Sequence, residues 1–303
     1  MEQEVVHQKK SFLRAIYEDH YKKLMIIPIL IFVLAIVQIS YQVATTGDFV
    51  NKGVSLKGGV TVTIPAEKAT VDSINSLLKK EFPKADIIVR TLGVEQIVVE
   101  AAGIEPEQMI GALAKANLNR EDYTIEQTGP ALGSSFFRAA ISATLIAFVL
   151  MSIVVFLFFK TFVPSAAVII CAISDILETL AIFNLTGIKL TTAGVAAFLM
   201  LIGYSVDTDM LLTTRALKRR EGALMSRIYS AITTGLTMTL TTVAAVVIAL
   251  IFIKSDTIRQ IMIIILIGLL LDIVNTWIQN VGIVRMYVEH KEKKARLMTG
   301  GSQ

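Results

Sequence analysis

Five acidic side chains interrupt the long apolar runs of this 303-residue sequence: Asp175, Glu178, Asp207, Asp209 and Asp272. A carboxyl group inside a run long enough to cross hydrocarbon is costly to place there. Such groups mark ion paths, proton relays or contacts with a partner. Asp175 and Glu178 are three residues apart and share a helix face. Asp207 and Asp209 are two apart and point in different directions. Asp175 and Asp272 fall nearest the middle of their runs, and Asp207 lies about 7 Å to the cytoplasmic side at 1.5 Å per residue. No Lys or Arg lies deep in any run, so the acids must be neutral or hydrogen-bonded to polar side chains. Candidate partners are the hydroxyls of Thr233, Thr234, Thr237, Thr239, Thr241 and Thr242 and the amides of Asn275 and Asn280.

The chemistry these residues support is the uptake and release of protons along a polar path. Asp207 leads it, with Asp209 near the interface. The competing reading is structural: the acids hold helices together, within the chain or against a partner, and the threonines pack helix surfaces. Paired buried aspartates can also perform acid–base chemistry. An intramembrane aspartyl protease, however, needs a Gly-x-Gly-Asp motif and a Tyr-Asp pair, and neither is present. There is no Gly-x-x-x-x-Gly-Lys phosphate loop, so any energy input points to an ion gradient. The single cysteine, Cys171, rules out an intramolecular disulfide and a cysteine–metal cluster; it reads as a small buried hydrophobe. No catalytic residue, metal site or cofactor is expected, and the chain does not read as an enzyme.

The elements that must position the acids follow from composition. Hydrophobic residues make up 54% of the chain and charged residues only 18%, below the roughly one quarter usual in soluble domains. The apolar residues collect into six stretches of the length a membrane helix needs, about 20 residues. These are Leu24–Ala44, Ala139–Phe159, Phe162–Asn184, Thr191–Thr213, Ala231–Ile253 and Ile258 to about Gly282. Residues 1–23 and 283–303 are tails. The first run follows 23 mostly polar residues and is longer than a signal-peptide core, so it reads as an uncleaved anchor.

Charge gives the orientation. Sixteen cations fall on one side: Lys9, Lys10, Arg14, Lys22 and Lys23; Lys160; Arg215, Lys218, Arg219, Arg220 and Arg227; Arg285, Lys291, Lys293, Lys294 and Arg296. The opposite short loops hold only Lys189, Lys254 and Arg259. Both termini are therefore expected in the cytoplasm of a multi-pass cell-membrane protein. The net charge of +4 reads as topology signal and contact with membrane lipids, with no nucleic-acid partner.

Thr45 to about Arg138 then lies outside. Gly59–Ile64 alternates as a strand, and Thr70–Phe82 has helical spacing up to Pro83. Asp86–Leu92 and Gln96–Ala101 form a hairpin around Gly93. A helix runs from Pro106 to about Ala116, and Asp122–Gln127 is a last strand. This β-α-β-β-α-β order is the ferredoxin-like arrangement. The expected fold is an all-α bundle of six transmembrane helices, with an α+β ferredoxin-like extracytoplasmic domain inserted between helices one and two. Without a catalytic set, that domain reads as a docking module.

Three motifs carry a resemblance. Gly53-Val54-Ser55-Leu56-Lys57-Gly58-Gly59 is similar to the Gly-x-Asp-Phe-x-Gly-Gly motif after the first span of SecF-type proteins. Thr128-Gly129-Pro130-Ala131-Leu132-Gly133 resembles the Val-Gly-Pro-x-x-Gly motif entering the second span. Ile202-Gly203-Tyr204-Ser205-Val206-Asp207-Thr208-Asp209, with Arg215 six residues on, resembles the fourth-span signature. Together they identify the SecD/SecF protein-export family of the resistance-nodulation-division superfamily. The short external segment favours the SecF side, in an archaeal-like form. Ser55 and Leu56 stand where bacterial SecF has Asp-Phe, Thr208 where its fourth-span acid falls, and Thr234 where its fifth span carries an arginine. The resemblance implies an accessory subunit that acts with SecD at the SecY translocon channel on a translocating preprotein. Coupling to the proton gradient is an open part of it. The rival is a half-size exporter of lipids or small molecules working as a homo-oligomer.

Overall fold

The computed structural model describes residues 17–92, 96–218, 222–253 and 255–299. Expectations that rest on Lys9, Lys10, Arg14, Gly93, Arg219, Arg220 and Lys254 lie outside these residues.

Among the described residues, six helices are long and apolar enough to cross a membrane: Tyr21–Thr46, Ala131–Phe159, Phe162–Leu185, Thr192–Leu217, Leu224–Phe252 and Thr257–Lys294. The first span is helix α1 (Ile26–Thr46), closed by Gly47 in the left-handed region. A short helix α2 (Val54–Lys57) follows. The small sheet unit then runs β1 (Gly59–Pro65), α3 (Val71–Glu81), β2 (Asp86–Leu92), β3 (Gln96–Ala102), α4 (Pro106–Ala114) and β4 (Thr124–Thr128).

The sheet is antiparallel throughout, in the order β2-β3-β1-β4. Alternation in β1 puts Val60, Val62 and Ile64 into a core with Ile97, Val99 and Ala101. Ile74 and Leu78 of α3 and Met109 and Leu113 of α4 complete it. Helix α3 starts where Thr70 and Ser73 form a reciprocal capping box, and α4 starts with Pro106 at its first position. Asp122, expected to open the last strand, instead holds the turn before it. It accepts from the Asn119 N–H at 2.8 Å and lies 3.1 Å from Lys68 Nζ. These contacts keep its carboxyl below the usual value.

The second span, α5 (Pro130–Phe159), begins well before the expected Ala139, because Pro130 is preset for a helix start. Lys160 adopts the left-handed conformation and breaks the chain before α6 (Phe162–Leu185). The fourth span is α7 (Thr192–Leu217), capped by the Thr191 side chain on the Gly194 N–H. The fifth is α8 (Leu224–Phe252). The sixth is α9 (Asp256–Val274), a π-helical segment (Asn275–Asn280) and α10 (Val281–Thr299) in one continuous rod.

The sheet unit is tied to the bundle by backbone as well as side chains. The Leu190 N–H donates to Asn51 O at 2.6 Å, and the Gly53 N–H donates to Leu190 O at 2.7 Å. The Thr192 N–H donates to Ser55 Oγ at 3.3 Å, and Lys189 pairs with Asp86.

Candidate functional site

Four of the five acids meet in the bundle. Asp175 and Glu178 of α6, Asp209 of α7 and Asp272 of α9 are all buried. Ser205 donates to Asp175 Oδ2 at 2.5 Å. The Asn275 amide donates to Asp175 Oδ1 at 2.8 Å and to Glu178 Oε2 at 2.9 Å. Asn280 donates to Asp209 Oδ1 at 2.6 Å. Thr208 lies 3.0 Å from both oxygens of Asp272.

Thr276 Oγ1 sits between two carboxyls, 3.0 Å from Asp209 Oδ1 and 2.9 Å from Asp272 Oδ1. A hydroxyl has one hydrogen to give. Both contacts are hydrogen bonds only when one of the two carboxyls carries a proton. Glu178 Oε1, Asp209 Oδ2, Asn275 Oδ1 and Asn280 Oδ1 are buried with no donor in reach among the described residues. Among the described residues, two carboxyl oxygens, Glu178 Oε1 and Asp209 Oδ2, are thus left without a hydrogen bond in the bundle interior.

The sixth span supplies its share through a widened turn. The π-helical segment buries Asn275, Thr276, Gln279 and Asn280, and single π turns recur at functional sites. Asn275 and Asn280 were expected as partners of the acids. The threonines of the fifth span fill no such role: Thr233, Thr234, Thr237, Thr241 and Thr242 bond carbonyls of their own helix. Their part is taken by Ser205, Thr208 and Thr276. The sequence does mark this set. Asp272, Asn275, Thr276, Gln279 and Asn280 share one helix face by spacing, as do Ser205, Thr208 and Asp209.

Asp207 stands apart. Its side chain is exposed on the outer face of α7, with Gly203 and Tyr204 on the same face, and open space stands over Gly203. The fourth-span motif thus splits: Ser205 and Asp209 enter the buried cluster, while Gly203, Tyr204 and Asp207 face outward. Arg215 joins neither group. Its guanidinium donates to the carbonyl and hydroxyl of Ser230 at 2.5 and 2.8 Å, tying the fourth span to the fifth. The other two motifs meet each other. A Cβ on Gly133 would lie 2.9 Å from the Gly58 nitrogen and 3.0 Å from Leu56 backbone. Gly58 and Gly59 adopt positive φ, and Gly129 caps the helix that Pro130 opens. This contact fixes how the sheet unit enters the second span.

Six apolar helices, of which the third, fourth and sixth enclose a buried carboxyl–amide–hydroxyl cluster, with a sheet unit between the first two, define a polytopic membrane protein. The family profile described as "Protein export membrane protein SecD/SecF, C-terminal" matches residues 108–290. The chain is 37% identical over 295 residues to the protein-export membrane protein SecF of Pyrococcus furiosus, covering 96% of this chain and 99% of that one. It is 36% identical over 289 residues to SecF of Methanocaldococcus jannaschii, covering 90% and 98%. The crystal structure of SecDF from Thermus thermophilus superposes with a TM-score of 0.67 at 19% identity. That match covers 90% of this chain and 38% of the larger SecDF chain. The chain belongs to the SecD/SecF family of protein-export membrane proteins.

Proposed function

We propose that the chain is an accessory subunit of the Sec protein-export machinery in the cell membrane. It acts with SecD beside the SecY channel to promote movement of a preprotein across the membrane. Near full-length similarity to proteins named as protein-export SecF carries this reading. In it both termini are cytoplasmic, and the β-α-β-β-α-β unit is a ferredoxin-like extracytoplasmic domain. The outward Asp207 supports a partner. An acid on the lipid face of a span is costly and calls for a covering group, and Gly203 leaves room for a helix to approach.

Within this reading the cluster of Asp175, Glu178, Asp209 and Asp272 is the proton-accepting part, and Asp207 joins it to the partner. Affinity purification from native membranes should bring SecD down with this chain. A Cys placed at Asp207 should crosslink to a SecD span. Recovery of the chain as a lone homotrimer would instead support the exporter alternative. Asp209→Asn keeps an oxygen for Asn280 and Thr276 but cannot take up a proton. Export driven by a proton gradient should fall at least tenfold at unchanged protein level. Full export by that variant would reduce the cluster to interhelical packing.

A further inference from the structure

We infer that Tyr17 is a positioning residue for the buried acids: its hydroxyl occupies the Trp277 carbonyl and holds the sixth span in its π-helical register. Its effect on export rests on the acid cluster being the proton-accepting part, as proposed above.

In an α-helix each N–H donates to the carbonyl four residues back, so the Val281 N–H would go to Trp277 O. Here it donates to Thr276 O and Ile278 O instead. The Trp277 carbonyl loses that donor, in a residue only 5% exposed. A buried carbonyl left without a donor is costly. The Tyr17 hydroxyl donates to it at 2.6 Å. Tyr17 thus supplies the bond that the π register forfeits. Without it the segment gains by returning to α.

The consequence reaches the acids. Asn275 and Thr276 begin the segment and Asn280 ends it. Conversion to α turns one end against the other by about one residue, roughly 100°. Thr276 and Asn280 both bond Asp209 Oδ1, at 3.0 and 2.6 Å, while Asn275 spans Asp175 and Glu178. Such a turn cannot leave all of these bonds in place.

Tyr17 is itself held from two sides. Arg285 of α10 donates to Glu18 O at 2.7 Å and lies 4.1 Å from the centre of the Tyr21 ring. Tyr21 donates to Glu289 Oε2 at 2.8 Å, and Tyr229 of α8 donates to Glu18 Oε1 at 3.0 Å. The Trp277 ring in turn fills the space over Gly235, where a Cβ would collide with it. Hydroxyl and carbonyl therefore meet between two anchored pieces of chain.

The chain holds one tryptophan, so carbon-13 at the tryptophan carbonyl labels this site alone. Infrared spectra of the purified full chain in detergent then report the Trp277 carbonyl. Tyr17→Phe keeps the ring and removes the hydroxyl. The labelled amide band should move, and the folded-to-unfolded ratio should fall about fivefold, the effect of one lost hydrogen bond. Asn280→Ala should also destabilise. In the double variant the loss should be smaller than the sum of the two, because Asn280 no longer reaches Asp209 once the register is gone. A hydroxyl with a purely local role gives additive losses. An unmoved band, or additive losses, would overturn the inference. Proton-driven export by Tyr17→Phe should fall at unchanged protein level, with its pH midpoint displaced. Full export combined with a moved band and sub-additive losses would keep the positioning role and count against the proton-accepting reading.

Discussion

Asn275→Leu is expected to destabilise the bundle by about 3–5 kcal/mol, because one amide satisfies two buried carboxyl groups and each unsatisfied buried group costs about 1–3 kcal/mol. The donated bonds reach Asp175 and Glu178 at 2.8 and 2.9 Å. Leucine has nearly the same volume, so the loss is of donors and not of packing. A melting curve of the purified chain in detergent should shift down by on the order of 10 °C. A shift of a degree or less would show that the two acids find other donors and that the π-helical segment is not what holds them.

The sheet unit has its own sensitive point. Gly59→Ala should cost at least about 3 kcal/mol, the range reached only when a substitution breaks a named structural constraint. Gly59 has φ +148°, and a Cβ there would run into the carbonyl of Ala101. That obstacle is backbone and cannot rotate away. The strand pairing Val60 with Ala101 must open to admit it, so amide exchange in β1 and β3 should rise by orders of magnitude. Gly111→Ala is the control. It sits inside α4 with nothing within 4 Å of the added Cβ and should gain about 0.5–1 kcal/mol from helix propensity. Equal exchange in the two variants would remove the argument from Gly59.

Much of this was legible before any coordinates. The spans could be read because apolar stretches of membrane length are hard to mistake, and the strands because Val60, Val62 and Ile64 alternate with threonines. Helix ends were less visible: the second and fifth spans begin at Pro130 and Leu224, in polar sequence that hydropathy alone leaves outside. The acids stood out by type, but their facing did not. Residues 207 and 209 differ by about 200° around a helix, so one of them must look away from any given neighbour. This stretch of α7 carries polar groups on two sides, Ser205, Thr208 and Asp209 on one and Tyr204 and Asp207 on the other, so spacing alone does not say which is inward. The packing of α7 against α6 and α9 decides it in favour of Asp209. The π-helical segment had no marker, since neither Pro nor Gly interrupts Asn275–Asn280.

The amide pairing of Leu190 with Asn51 and Gly53 has a mechanical consequence. Two short backbone hydrogen bonds of 2.6 and 2.7 Å clamp the link between the sheet unit and the first span onto Leu190. A displacement of the sheet unit must either break these bonds or carry Leu190 with it. Leu190 sits in the turn joining the third and fourth spans, the two helices that carry Asp175 and Asp209.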